Sequence, residues 1–444
     1  ESDMHVASAT TRLVSARATP HASRPRLDAP AVRASPCRGT ARPTRRGPLS
    51  DSAPDVTRTM ASGVPSGGLE THPPLDPPPP SSPEDVAAVR AYVQSSPLFP
   101  QLGLHPASTT DAAAETWAHL AETLCAFLRL DPNDLAQDSA ARVYKYYVPA
   151  YLWCVGRLEK HRHEKRASER PKTKTRPLCV ALTAPQGCGK TTLVAALEFL
   201  FEKNGVAAAS ASVDDFYLTG AEQDKLSLAN PGNALLRYRG NAGTHDVQLA
   251  VNTLRSLRSI NDDDFATLTV SVPRYDKTLR GGRGDRAARE FWPEITAPLD
   301  IVLLEGWMLG FAPAADADAF AAHPDLPAVN AALRDDAYGD LHALLDDWIV
   351  VRVRDTRWVR SWRLEAEQQA RSEGRPTLTD AEVADFVNRF LPAYDLYAGA
   401  MYRRGPWRGG TDLTGDSLPC DEGSVFVVEV DATRNVVGGR EVKP

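Results

Sequence analysis

Apolar positions along the chain fall into two kinds of run. The first is short and continuous: residues 178–183, 206–213, 268–272, 299–304, 348–353 and 425–430, mostly rich in Val, Leu, Ile and Ala. Runs of this kind suit strands buried on both faces, as in a parallel sheet. The second kind recurs every three or four residues, as in Val86, Val89 and Val93, in Trp117, Leu120, Leu124, Phe127 and Leu128, and in Leu249, Leu254 and Leu257. That spacing predicts helices with one apolar face. Further helices are predicted over residues 191–203, 312–347, 354–373 and 381–402. Beyond residue 178 strands and helices alternate, so the expected fold is α/β, a parallel sheet flanked by helices.

Ahead of the alternating part, the pattern divides three ways. Up to residue 46 there are nine arginines against three acids, among many Ser, Thr, Ala and Pro, with no compact apolar segment. Residues 1–60 therefore read as a disordered, organelle-targeting leader rather than a secretory signal. Residues 61–83 are a linker rich in Pro, Ser and Gly that includes Pro77-Pro78-Pro79-Pro80, a run unsuited to helix or central strand. Residues 84–170 form a helical extension ending in an aromatic run, Tyr144, Tyr146, Tyr147, Tyr151 and Trp153, assigned to docking against the main domain at 171–444. The basic stretch 161–176 is expected to be solvated.

Composition narrows the function classes. The 444 residues carry a net charge of −6, which argues against general nucleic-acid binding, and no apolar run approaches a membrane span. Six scattered cysteines without a C-x-x-C pair fit neither a zinc site nor a disulfide framework. The expected partners are thus small molecules, with no nucleic acid, no membrane and a monomeric chain.

Chemistry concentrates where the first strand meets its helix. Ala184-Pro-Gln-Gly-Cys-Gly189-Lys190-Thr191 matches the phosphate-cradling loop except that alanine replaces the first glycine. Gln186, Gly187, Cys188, Gly189, Lys190, Thr191 and Thr192 are accordingly the nucleotide-binding candidates. Backbone N–H groups would turn onto the phosphates, Lys190 would add charge, and the Thr191 hydroxyl would ligate magnesium. Cys188 is either an activated thiol or a small space-filling side chain, the latter being preferred.

Later strands end in carboxylates. Asp214 and Asp215 follow the second strand, where one of them could take a proton from an acceptor hydroxyl; an N-cap or turn role is the plainer reading of either. Glu305 closes the strand at 299–304, the place where phosphate-loop enzymes hold magnesium, whereas Asp300 sits at its far end. Either Thr244 or Asp246 caps the helix that follows, and His245 is read as a loop residue unless it contacts substrate. A loop with Arg274, Lys277, Arg280, Arg283, Arg286 and Arg289 suits an anionic acceptor. The arginine-rich helix from 354, with Trp358 and Trp362 on its apolar face, suits a lid.

These motifs in this order, namely Ala-Pro-Gln-Gly-Cys-Gly-Lys-Thr-Thr, Asp-Asp-Phe-Tyr-Leu-Thr, Arg-Gly-Asn-Ala-Gly-Thr-His-Asp, Pro-Arg-Tyr-Asp-Lys with Gly-Gly-Arg-Gly-Asp-Arg, Leu-Leu-Glu-Gly-Trp and Trp-Arg-Leu-Glu-Ala-Glu, resemble the plant-type D-glycerate 3-kinases. That family is a branch of the phosphoribulokinase, uridine kinase and pantothenate kinase group. The resemblance spans residues 140–430. It implies ATP- and Mg2+-dependent phosphorylation of D-glycerate to 3-phosphoglycerate, a step of photorespiration in the chloroplast stroma. It further implies that Asp214 is the base, that Lys190 and Thr191 serve phosphate and magnesium, that Glu305 completes the metal site, and that Arg357 and Arg363 act from the lid. Tyr217, His245, Tyr275, Lys277 and Arg283 fall on its substrate side. Two other readings are a phosphate-loop kinase of pantothenate or a nucleoside, and a non-catalytic ATP switch. The basic loop disfavours a neutral acceptor, and the pairing of Asp214 with Glu305 disfavours the switch.

Overall fold

In the computed structural model the described residues are 76–168, 175–262, 269–374, 378–409 and 423–439. The expected leader, the linker up to residue 75 and the segment 410–422 lie outside them. In chain order the strands are β1 Leu178–Thr183, β2 Ala208–Ser212, β3 Thr269–Ser271, β4 Tyr275–Asp276 and β5 Asp285–Arg286. They continue with β6 Glu294–Thr296, β7 Ile301–Gly306, β8 Asp347–Val353, β9 Val425–Val430 and β10 Val436–Gly438. Six of them make the main sheet in the order β10-β9-β8-β1-β7-β2, parallel except for the short β10. β1 and β7 are buried along their whole length, as the continuous apolar runs require.

The run near 268–272 leaves this sheet. β3 pairs antiparallel with β6 and, between them, β4 pairs with β5, so the basic loop folds into a small hairpin that Arg274 and the Tyr275 N–H join to Asp215 at the second strand's end. The run expected at 206–213 is strand only to Ser212, where Ser212 caps a short 3-10 turn, Val213–Phe216, that carries the two aspartates. The region 381–402 is likewise broken: helix Asp380–Asn388 gives way at Leu391-Pro392 to a π-helical turn, Tyr394–Ala398, and then helix Gly399–Arg404. Proline at the start of a new helical segment explains the break, since it supplies no N–H to the preceding one.

The aromatic run does dock. Tyr151 lies 5.2 Å from Phe201 on the phosphate-loop helix and Trp153 lies 5.3 Å from Phe426 of β9, measured between ring centroids. Gln101 adds a backbone-like contact: its amide donates to the Val427 carbonyl and accepts from the Val427 N–H, both at 2.8 Å. His161, Arg162 and Arg176 are less solvated than the composition of the basic stretch suggests. His161 is buried against the Arg176 carbonyl, Arg162 bonds Asp300 at 2.7 Å, and Arg176 grips Asp346 at 2.8 Å. Nearby, Arg157 meets the 1% exposed Asp347 with two hydrogen bonds of 2.6 and 2.8 Å. These carboxylates sit at the amino ends of β7 and β8, which ties helix Val148–Ser168 to the edge of the sheet opposite the phosphate loop.

Candidate active site

The site assembles at the carboxyl ends of β1, β2 and β7, where open parallel sheets present their ligand crevice. After Thr183 the chain turns through Gly187 and Gly189, both at positive φ (81° and 98°), into helix Lys190–Lys203. Residues with a Cβ rarely adopt those angles, which is why glycines hold both places. Pro185 is a local hub: its carbonyl accepts from the Cys188 thiol at 2.9 Å and from Lys190 Nζ at 3.3 Å. Burial outweighs the neighbouring Lys190 and pushes the Cys188 thiol up, so it fills space as a protonated side chain. Thr191 and Thr192 are exposed on the first turn, where the helix dipole is positive.

Three side chains from distant segments also reach the loop, and of these only Trp362 belongs to a motif seen in the sequence. Tyr394 accepts from the Gln186 N–H at 3.0 Å. Trp362 closes on Gly187, and Arg434, at the β9–β10 turn, donates to the Gly187 carbonyl at 2.8 Å while lying 5.2 Å over the Trp362 ring. Gln186 Oε1 is buried with no hydrogen-bond partner among the described residues.

The two aspartates have separate surroundings. Asp215 accepts from the Ser212 N–H (3.1 Å), the Tyr275 N–H (3.3 Å) and Arg274 (2.9 Å), so it braces the turn and the basic hairpin. Asp214 faces the opening, where Lys277 Nζ lies 2.5 Å from its Oδ2. Burial alone would raise the Asp214 carboxyl. The Lys277 ammonium, the Tyr217 hydroxyl and Lys190 together overcome that and hold it at about 2.

Glu305 lies in register with Ser212 on one side and Leu182 on the other. It is 9% exposed; burial raises its carboxyl despite Lys190 and the Ser212 hydroxyl, and its Oε2 has no partner among the described residues. No group of three His, Cys, Asp or Glu side chains poised for a metal occurs among the described residues. An oxygen set of the Glu305 carboxylate with the Thr191 and Ser212 hydroxyls nonetheless suits a hard cation such as Mg2+, which binds few protein ligands and keeps its waters. The orphaned carboxylate oxygen is what such an ion would satisfy, so the residues fit.

Around this centre the substrate-side candidates converge. Tyr217 stacks on His245 (4.5 Å) and meets Tyr275 edge-on (5.3 Å). His245 is buried rather than a loop residue in solvent, and Asp246, not Thr244, caps helix Val247–Arg258. Arg283 does not point inward: it pairs with Asp224 at 3.0 Å, beside Arg280. Neither lid arginine reaches the phosphate loop in this conformation. Arg357 is 80% exposed and folds back on Asp355, and Arg363 pairs with Glu367 one helical turn on. Helix Trp358–Ser372 instead presents Trp362 to the loop, because an apolar face packs where charged neighbours stay in water.

No family model matches this chain. A chloroplastic D-glycerate 3-kinase of Arabidopsis thaliana is 39% identical over 358 residues, which cover 80% of this chain and 74% of the relative. The probable ATP-dependent kinase TDA10 of Saccharomyces cerevisiae is 36% identical over 238 residues, 51% of this chain and 80% of its own. Among solved structures, a D-glycerate 3-kinase from Cryptococcus neoformans shares the fold with a TM-score of 0.56 and 31% identity, over 66% of this chain and 98% of its own. With a phosphate loop, a strand-end aspartate and a relationship extending over four-fifths of its length, the chain belongs to the D-glycerate 3-kinase family and is a kinase.

Proposed function

We propose that the protein transfers the γ-phosphoryl group of ATP to the 3-hydroxyl of D-glycerate, giving 3-phosphoglycerate and ADP. The observation that carries this reading is the Asp214–Lys277 pair at the mouth of the phosphate loop, a carboxylate for the hydroxyl proton beside a cation for the acceptor's own charge. The loop from Gln186 to Thr192 would hold the triphosphate by its N–H groups, with Lys190 on the β- and γ-oxygens. As the acceptor oxygen bonds the γ-phosphorus, the bond to the β-bridging oxygen breaks, ADP leaves, and the hydroxyl proton passes to Asp214. Asp215 is engaged by three donors within the fold, which favours Asp214 for this task.

Thr191, Glu305 and the neighbouring Ser212 would hold Mg2+, which when bound neutralises charge on the transferred group. Tyr217, Tyr275, His245 and Lys277 would line the acceptor's side. Arg283 would reach it only on releasing Asp224, and Arg357 and Arg363 only if helix Trp358–Ser372 turns its charged face inward. The Arabidopsis relative's chloroplastic name and the basic composition of residues 1–60 support a chloroplast stromal setting, and with it a part in photorespiration.

The test is an ADP-coupled assay offering D-glycerate, L-glycerate, pantothenate and uridine, followed by NMR of the product. D-glycerate is expected to be preferred and 3-phosphoglycerate formed. Preferred turnover of pantothenate or uridine, or formation of 2-phosphoglycerate, refutes the assignment.

A further inference from the structure

His245 is held on three sides. Its backbone bridges that of Tyr217, with the Leu218 N–H donating to the Thr244 carbonyl at 3.0 Å and the Asp246 N–H to the Phe216 carbonyl at 2.7 Å. Its ring stacks on Tyr217, whose hydroxyl bonds Asp214, so the imidazole lies beside the aspartate's surroundings. Its Nδ1 is 3.2 Å from the hydroxyl of Tyr338, which reaches in from helix Asp336–Ala343. Only 6% of His245 is exposed, and its Nε2 has no partner among the described residues.

The hydrogen bonds around Tyr338 favour one nitrogen as the proton's carrier, since the other arrangement leaves both the Tyr338 hydrogen and Nε2 without a partner among the described residues. The Gly243 N–H donates to the Tyr338 oxygen at 3.2 Å, so that oxygen already accepts, and what the hydroxyl has left to give is its own hydrogen. Nδ1 of His245 is the acceptor within reach. A phenol holds one hydrogen, and a neutral imidazole has one donor and one acceptor. If Tyr338 donates to Nδ1, the ring hydrogen must sit on Nε2. Burial drives the imidazole's pKa down to about 4 against the pull of Asp214, so the ring is neutral in ordinary conditions. The result is a buried N–H donor left unsatisfied, a costly arrangement unless something accepts from it.

We propose that the acceptor, on entering beside Asp214, displaces the packing that buries His245 Nε2, that Nε2–H then donates to its 2-hydroxyl oxygen, and that Tyr338 is the positioning residue that fixes the ring in this tautomer. This deepens the glycerate reading and rests on it. The division of labour follows from charge. Lys277 is the cation suited to the acceptor's carboxylate, whereas a neutral donor beside Asp214 has no charge to offer and reads a hydroxyl by geometry. A site that donates to a substrate hydroxyl discriminates against the analogue lacking it, because the donor is then left bare.

The comparison substrate is 3-hydroxypropionate, which keeps the carboxylate and the reacting hydroxyl and lacks only the 2-hydroxyl. The full chain should prefer D-glycerate over it by about 10- to 100-fold in kcat/KM beyond what the variants retain. His245→Asn places its amide near Nδ1 and should lose that preference, while His245→Gln, with an N–H near Nε2, should keep part of it. Tyr338→Phe leaves the packing and removes the hydroxyl. It should cut the preference by releasing the tautomer, and nitrogen-15 NMR of the imidazole should show Nε2 protonated in the wild type and a mixed state in this variant. An unchanged D-glycerate to 3-hydroxypropionate ratio in both His245→Asn and Tyr338→Phe overturns the proposal, as does an Nδ1-protonated ring in the wild type. The NMR readout needs no substrate: a correct tautomer in a protein that ignores D-glycerate would sink the glycerate reading, and a wrong tautomer in an active glycerate kinase would sink this one.

Discussion

Replacing Lys277 with methionine keeps the side chain's length and removes the charge that sits 2.5 Å from Asp214. In the folded chain Asp214 is held at about 2, against an ordinary 3.8. Taken at full strength that difference corresponds to ~2.5 kcal/mol. Lys277 is 56% exposed, however, so water and salt screen the pair, and about 1 kcal/mol is the expected loss of stability at pH 7. The sign with pH follows from the lowered carboxyl. The contribution is fully present above the unfolded value near 3.8 and disappears as pH falls through about 2, so wild type and Lys277→Met should converge in acid. Urea denaturation at pH 7, 5, 4 and 3, with Asp214→Asn and the double variant completing a cycle, measures this directly. The same substitution should raise the KM for D-glycerate by about tenfold, a charge-assisted hydrogen bond's worth of binding. Stability effects of the two single variants that simply add, together with an unchanged KM, would show that the pair is a surface contact with no part in the site.

Three other changes separate the parts of the architecture. Gly187→Ala puts a Cβ 2.6 Å from the Trp362 Cβ at a backbone φ of 81°, and should weaken ATP binding by about tenfold or more with the fold retained, as read by nucleotide titration and circular dichroism. Arg157→Met strips the partner from the buried Asp347 and should cost about 3–5 kcal/mol in thermal or urea unfolding. Because that pair lies at the other edge of the sheet, kcat and KM of the folded protein should not change. Glu305→Gln should raise the Mg2+ concentration for half-maximal activity by about 10- to 100-fold; an unaltered Mg2+ titration removes Glu305 from the metal site.

What could be read in the sequence was mostly what one short segment determines by itself. The apolar runs at β1, β7, β8 and β9 and the loop before Lys190 were legible because strand burial and the glycine turn are local demands. The placement of Asp214 and Asp215 at a strand end was legible too. Their difference was not, since it depends on Arg274 and the Tyr275 N–H arriving from a hairpin some 60 residues later. Tyr394 on the Gln186 N–H, Arg434 on the Gly187 carbonyl and Tyr338 on His245 belong to the same class. Each is a single polar atom delivered by distant packing, and neither periodicity nor spacing marks it. The basic loop looked like six free cations, yet Arg274, Lys277, Arg280, Arg283 and Arg286 each pair with an aspartate contributed by residues 214–246. A composition count registers such charges, and only the folded chain shows how they neutralise one another.

Gln101 carries a consequence for how one margin of the sheet is covered. Beyond its short pairing with β10, strand β9 would offer Val427's amide and carbonyl to any passing extended chain, and unfilled strand margins of that kind are where proteins zip together into aggregates. A side-chain carboxamide from the helical extension occupies both groups, as a plug occupies a socket. The residues ahead of the kinase sheet thus cover that margin, and a version trimmed of them is expected to leave both Val427 groups open to pairing.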